Sequence, residues 1–154
     1  MATEIERKFL VRDESWRPGA SGTQYRQGYL SSDGGRTVRV RTAGEHGYLT
    51  IKGPRVGLGR SEFEYLIPVA DANQILDELC PRPLIEKIRY RIEYQGLVWE
   101  VDEFRGENEG LILAEVELEH EAQPVALPPW VGEEVSEDPR YYNSNLAKRP
   151  YTRW

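Results

Sequence analysis

Cysteine is nearly absent. Cys80 stands alone among 154 residues, so no internal disulfide forms and a cysteine-based zinc cluster is excluded. Two histidines, His46 and His120, are too few for a His-rich metal site, and their flanking residues place both in solvent. No apolar run approaches the roughly 18 residues of a membrane span. The opening MATEIERKFLV carries charge where a secretory signal would be apolar. Excess positive charge is lacking as well. Lys and Arg total 20 against 26 Asp and Glu, a net charge of −6, which disfavours generic attraction to nucleic acid or anionic membrane. A soluble cytoplasmic protein is the expectation, with no nucleic-acid or membrane partner.

Aromatic residues are plentiful. The 4 Trp, 9 Tyr and 3 Phe argue against disorder in a chain of which 30% is charged. The length fits one domain, residues 1–154, and a chain of this size buries about 70% of its unfolded surface. Period-2 alternation predicts eight strands, at residues 3–11, 25–30, 37–42, 48–52, 61–69, 84–94, 97–104 and 111–119. Asp33-Gly34-Gly35, residues 44–47, Gln95-Gly96 and residues 105–110 are short connections, so the strands they join are antiparallel neighbours. Between the fifth and sixth strands, Asp71 can cap a helix that carries Ala72, Ile75, Leu76 and Leu79 at helical spacing and ends at Cys80-Pro81. Cys80 itself reads as a small apolar filler. Residues 53–59 form a flexible loop whose glycines lack the strand and helix of a nucleotide fingerprint. In the tail, residues 123–130 are Pro-rich and expected to wrap the surface, with Trp130 and Trp154 in surface packing. Asp138-Pro139 reads as an N-cap and first turn of a helix continuing over residues 142–148.

The charges on these strands are sorted in an unusual way. Glu4/Glu6, Glu62/Glu64, Glu100/Asp102 and Glu115/Glu117 are acidic pairs at i, i+2. Arg39/Arg41 and Lys87/Arg89 are basic pairs, and Lys8, Lys52 and Arg91 share the parity. A wet sheet face gains by mixing signs. Side chains at i and i+2 lie about 7 Å apart along a strand, where two like charges repel by about 2 kcal/mol at an effective dielectric of ~20. Something should offset that repeated cost. Eight antiparallel strands suffice to close a barrel. With the charged face inward, carboxylates meet Arg and Lys across a polar lumen, and the apolar face points outward to be covered by helix and tail. Arg and Lys suit phosphate oxygens. Carboxylates suit Mg²⁺ or Mn²⁺, which bridge to phosphates. A metal–polyphosphate ligand satisfies both sets.

At this point the residues resemble a known family. Glu4-Ile-Glu6-Arg-Lys8 resembles the ExExK signature of the CYTH, or triphosphate tunnel metalloenzyme, superfamily. Arg39-Val-Arg41, Thr50-Ile-Lys52, Glu62-Phe-Glu64, Lys87-Ile-Arg89, Glu100-Val-Asp102 and Glu115-Val-Glu117 follow in the order of that family's later motifs. The tail is similar to that of short bacterial members. The resemblance implies a mainly antiparallel α+β fold: an eight-stranded tunnel over about residues 3–119, with a covering tail over about residues 120–154. It also implies binding of a triphosphate with a divalent metal, Mg²⁺ or Mn²⁺. Activities within the family include inorganic triphosphatase, thiamine triphosphatase and class IV adenylate cyclase. Overall likeness is greatest to the inorganic triphosphatases, and no base-reading motif for a cyclase stands out. A non-catalytic polyphosphate- or nucleotide-binding module is the alternative from a different class.

Carried onto this chain, the resemblance makes Glu4, Glu6, Asp102, Glu115 and Glu117 the metal ligands. Arg39, Arg41, Lys52, Lys87 and Arg89 become the phosphate-binding cations. Lys8 is the candidate base or water-orienting residue. Glu62, Glu64 and Glu100 are supporting, Arg91 lies at the mouth, and Tyr29 can close the site. An apolar outer wall only partly covered by helices would favour a homodimer.

Overall fold

The computed structural model describes residues 3–154. Eight strands close into a ring: β1 (Thr3–Val11), β2 (Gly22–Asp33), β3 (Arg36–Ala43), β4 (His46–Lys52), β5 (Gly59–Ile67), β6 (Ile85–Tyr94), β7 (Leu97–Phe104) and β8 (Ile112–Glu117). The order around the ring is β5-β4-β3-β2-β6-β7-β8-β1, and β1 pairs back onto β5. Each pairing is antiparallel. The connections are those the turn residues require. Gly34 and Gly35 (φ 61° and 78°) join β2 to β3, and Gln95 and Gly96 (φ 46° and 84°) join β6 to β7. Two consecutive positive φ angles match the right-handed twist of the strands they link.

A ninth strand, β9 (Val131–Glu134), was not expected. The prolines before it mask a four-residue run with no alternation of its own. β1 divides one edge between two partners: Thr3 to Ile5 pair with β5, and Phe9 and Val11 pair with β9. The ring therefore closes over the first half of β1, and β9 continues the sheet beside the second half. The expected capping by Asp71 is also corrected. Helix α1 (Val69–Glu78) starts from Pro68, with no side-chain cap, and Asp71 sits in the first turn. A carboxylate there meets the positive end of the helix dipole, and the missing proline N–H costs nothing at a helix start.

The apolar groups lie in three clusters. Leu76, Ala72 and Cys80 of the α1 region pack on Val40 of β3, outside the ring. Phe9, Trp99, Val101, Ala114 and Val116 face outward from β1, β7 and β8 and are covered by Trp16 and by Trp130 and Val131. Trp130 is thus buried, contrary to the surface position expected for it, and meets Trp99 edge-on at 5.9 Å. Part of the outer wall on β4 and β5 stays uncovered. Ile51, Phe63 and Tyr65 of β4 and β5 are exposed there, which is the surface the homodimer expectation rests on.

The third cluster alters the picture of a tail that merely covers the wall. Leu10, Ile85, Phe104 and Leu113 have the same strand parity as the charged residues, so they face inward. They pack against Val135, Tyr141 and Leu146 of the tail. One end of the lumen is therefore apolar and is stoppered by the chain's last 20 residues or so. The single helix expected here is two short pieces. Pro139–Tyr141 form a 3-10 turn whose first N–H groups are met by Asp138, which accepts from Arg140 N. Tyr142 then extends the backbone (ψ 134°), and α2 (Asn143–Leu146) follows. The break lets Tyr141 and Leu146 point into the barrel end together. Leu146 is fully buried. Leu146→Ala is expected to cost about 2–5 kcal/mol by loss of burial and the cavity left behind, read as a lower midpoint in urea denaturation with unchanged m value.

Candidate active site

The inward residues line a cavity of about 210 Å³. Its walls are sorted by sign. Strand register sets Glu6 opposite Glu117 and Glu100 opposite Glu115, so β1, β8 and β7 present adjacent carboxylates. Arg39 and Arg41 of β3 and Lys87 and Arg89 of β6 present the cations. Lys52 and Glu62 pair across β4 and β5, between the two zones. The like-sign pairs that looked costly along each strand are answered from neighbouring strands and across the lumen.

Each of the expected phosphate-binding cations has a carboxylate within reach. Lys52 Nζ donates to both oxygens of Glu4 at 3.0 and 3.1 Å and lies 3.5 Å from Glu62. Arg39 and Arg41 lie 3.5 and 3.3 Å from Glu64, and Thr50 Oγ1 donates to the same carboxylate at 2.9 Å. Arg41 is buried beside Arg39 and Arg89. Burial and those like charges together draw its pKa down to about 10. Tyr25 offers its ring to both Arg41 and Arg89, at 5.1 and 5.0 Å. The Nε groups of Arg39, Arg41 and Arg55 are buried without hydrogen-bond partners. Donors left in that condition call for an anion.

The carboxylates are polarised among themselves. Burial, then the proximity of Glu115 and Glu4, pushes Glu6 well above the usual carboxylate range. Glu115 is pushed up by burial too. Lys8, a hydrogen bond from Glu6, and Arg89 and Lys87 outweigh that, and its carboxyl is held well below the usual range. Glu6 and Glu115 are thus driven in opposite directions by their mutual proximity and by the cations near Glu115. Burial and the nearby Glu4 also raise Glu62, and burial, Glu4 and Glu100 raise Glu117. Crowded carboxylates of this kind gain from a cation placed among them. Glu4, Glu6, Glu115 and Glu117 supply only oxygen donors, which suits a hard divalent ion. Among the described residues, no three carboxylates are drawn into a ready-made cluster.

Asp102 stands apart from the other predicted metal ligands. Its oxygens accept from Arg89 Nε at 2.7 Å and Nη2 at 2.9 Å, and Lys87 Nζ lies 2.8 Å from it. Burial pushes Asp102 up, but Arg89 and Lys87 prevail and hold it low. Asp102, expected among the metal ligands, has both oxygens engaged by Arg89 and Lys87, a geometry that positions those two cations. Lys87 is buried, which draws its ammonium down to about 8 despite Asp102. Lys87 also donates to Asn143 Oδ1 at 3.0 Å. Lys8 Nζ donates to Tyr141 O at 3.1 Å and lies 3.9 Å from Glu115. Glu100 is 3.5 Å from Arg89 and 3.3 Å from Arg91. The Arg91 side chain is 68% exposed and is not among the residues that line the cavity. Tyr29 lines the cavity and accepts from Gln27 at 3.2 Å.

Sequence reasoning missed six lining residues, one of them Thr37 of β3. Arg55 and Arg60 belong to the loop between β4 and β5 and the start of β5. Tyr142, Asn143 and Ser144 belong to the tail stopper. Only the cations left a signal: two arginines in a Gly-rich loop directly after a lumen lysine.

Three comparisons bear on this arrangement. A model of the CYTH domain matches residues 2–151. An inorganic triphosphatase of Acetivibrio thermocellus is 52% identical over 151 residues, 98% of this chain and 97% of that one. One from Nitrosomonas europaea is 39% identical over 150 residues, 94% of this chain and 97% of that one. The crystal structure of the inorganic triphosphatase NE1496 superimposes with a TM-score of 0.69 at 37% identity, covering 96% of this chain and 95% of the other.

Proposed function

The chain belongs to the CYTH domain family, and on that premise we propose that it hydrolyses inorganic tripolyphosphate to pyrophosphate and orthophosphate inside the lumen. One observation carries the reading: an acidic wall faces a basic wall across a cavity small enough for a short polyphosphate. Arg39, Arg41, Lys52, Lys87 and Arg89 line the cavity and hold the phosphoryl oxygens, and the Nε groups of Arg39 and Arg41 have no protein partner. Asp102 keeps Lys87 and Arg89 in place, and Glu62 and Glu64 do the same for Lys52 and for Arg39 with Arg41. Glu4, Glu6, Glu115 and Glu117 would hold Mg²⁺ or Mn²⁺. The ion would supply charge neutralisation of the triphosphate and a lowered pKa for the attacking water.

Phosphoryl transfer demands positioning and charge stabilisation more than covalent help. Lys8 is fixed by Tyr141 and Glu115 at the stoppered end, where it can orient water in line with the scissile bond. Lys87 is a second candidate for the base, because burial makes its neutral form accessible near pH 8. The two are distinguished by pH. The neutral fraction of Lys87 rises as pH rises through about 8, so with Lys87 as base kcat climbs over that interval and Lys87→Met abolishes the climb. With Lys8 as base, Lys8→Met lowers kcat about a hundredfold or more at each pH, whereas wild-type turnover by Lys8→Met across pH excludes it.

The activity itself is tested with a panel of tripolyphosphate, ATP and thiamine triphosphate, each with Mg²⁺ and with Mn²⁺. Orthophosphate and pyrophosphate from tripolyphosphate are the expected products. Pyrophosphate with a cyclic nucleotide from ATP would mark a cyclase, and tight binding without turnover a non-catalytic module.

A further inference from the structure

We propose that Arg55, on the loop between β4 and β5, is a further anion-binding residue that reaches over the stoppered end of the cavity and takes a terminal phosphoryl group. The inference deepens the triphosphatase reading and rests on it for the identity of the anion. Arg55 lines the cavity, and its side chain is only 19% exposed. Its guanidinium lies over the Tyr142 ring, 4.4 Å from the centroid, within cation–π range. Its Nε is buried without a partner. Its one carboxylate contact is loose, Nη2 standing 3.8 Å from Glu6 Oε1, beyond a hydrogen bond. The result is a cation held at the cavity with donors to spare.

The loop that carries Arg55 is pinned on both sides, so the arm has a fixed root. Val56 and Gly59 exchange backbone hydrogen bonds at 2.8 and 3.1 Å. Leu58 N donates to Glu121 Oε1 at 2.7 Å. Arg60 Nε donates to Gly53 O at 2.9 Å and its Nη2 to Gly35 O at 3.1 Å. Gly57 takes φ 63°, a backbone conformation that favours glycine. Arg60 is thereby committed to backbone carbonyls, and Arg55 alone of the two is left for a ligand. A planar fork placed on an aromatic platform is suited to phosphate.

The test is calorimetric titration of inorganic tripolyphosphate into metal-free protein, with turnover measured separately. Arg55→Ala is expected to weaken tripolyphosphate binding about 10- to 100-fold, the range for losing a charged hydrogen bond. KM should rise in step and kcat change about threefold at most. Arg55→Lys should recover part of the binding, and Tyr142→Leu, which removes the platform but keeps the charge, should weaken it by less than Arg55→Ala. Binding by Arg55→Ala within about twofold of wild type overturns the proposal. So does equal weakening by Arg55→Lys and Arg55→Ala, which would mark a packing role. Wild-type protein that binds tripolyphosphate but does not hydrolyse it would refute the triphosphatase reading and leave the Arg55 comparison intact.

Discussion

Glu115→Gln is expected to lower metal-dependent tripolyphosphate hydrolysis about a thousandfold while the protein remains folded. Removing several kcal/mol of charge stabilisation from the transition state gives a loss of that order. The substitution keeps the side-chain volume and the hydrogen-bonding shape. It removes a carboxylate of the acidic wall whose pKa its surroundings hold well below the usual range. The same exchange at Glu100, which faces Arg89 and Arg91 near the mouth, should cost far less. A second readout is the melting temperature with and without Mn²⁺. Wild type should be stabilised by the ion according to its affinity, and Glu115→Gln should not respond. A variant that turns over at wild-type rate, or gains the same stabilisation, would take Glu115 out of the metal set.

Asp102→Asn is expected to damage stability as well as turnover. Asp102, Lys87 and Arg89 form a buried triad at 2.7–2.9 Å. Neutralising the carboxylate takes from two buried cations the counter-charge they share, leaving Arg89 only the longer contact with Glu100. Breaking a buried pair in this way costs about 3–5 kcal/mol, or a fall in Tm on the order of 10 °C for a chain of this size. The acid limb follows the same logic. The folded state holds Asp102 below its ordinary value, so its contribution to stability is complete above the unfolded pKa of about 3.9. That contribution disappears as pH falls through the depressed folded value. Asp102→Asn should therefore flatten the loss of stability below about pH 4, measured by urea denaturation across pH. An unchanged Tm and an unchanged acid limb would contradict the triad's role.

Much of the barrel was legible because its physics is local. Alternation locates the eight ring strands to within a few residues, and tight glycine turns make neighbours antiparallel. The sorting of charge by parity points inward, since like-signed pairs are costly until other strands answer them. Arg39, Lys52 and Glu115 could thus be named before any coordinates. What escaped depends on long-range contact. Asp102 shares its parity with Glu100, and nothing in Glu-Val-Asp says that Arg89 and Lys87 will occupy both its oxygens. Trp130 is buried only because the chain returns to lie over Trp99. Leu10, Ile85 and Leu113 continue the charged parity with apolar residues, a legible sign that one end of the lumen is dry. The tail that meets them gave no sign of doing so, because its fit depends on the break at Tyr142 rather than on periodicity. Arg55 sits in a loop, where no alternation assigns a side to a residue.

The account as a whole requires the two charged walls to receive one ligand between them. The most direct measurement is a crystal structure with a non-hydrolysable imido analogue of tripolyphosphate and Mn²⁺, located by its anomalous signal. The analogue should lie along Arg39, Arg41, Lys87 and Arg89, with manganese on the side of Glu6, Glu115 and Glu117. An analogue bound on the outer wall, or manganese distant from those carboxylates, would contradict it.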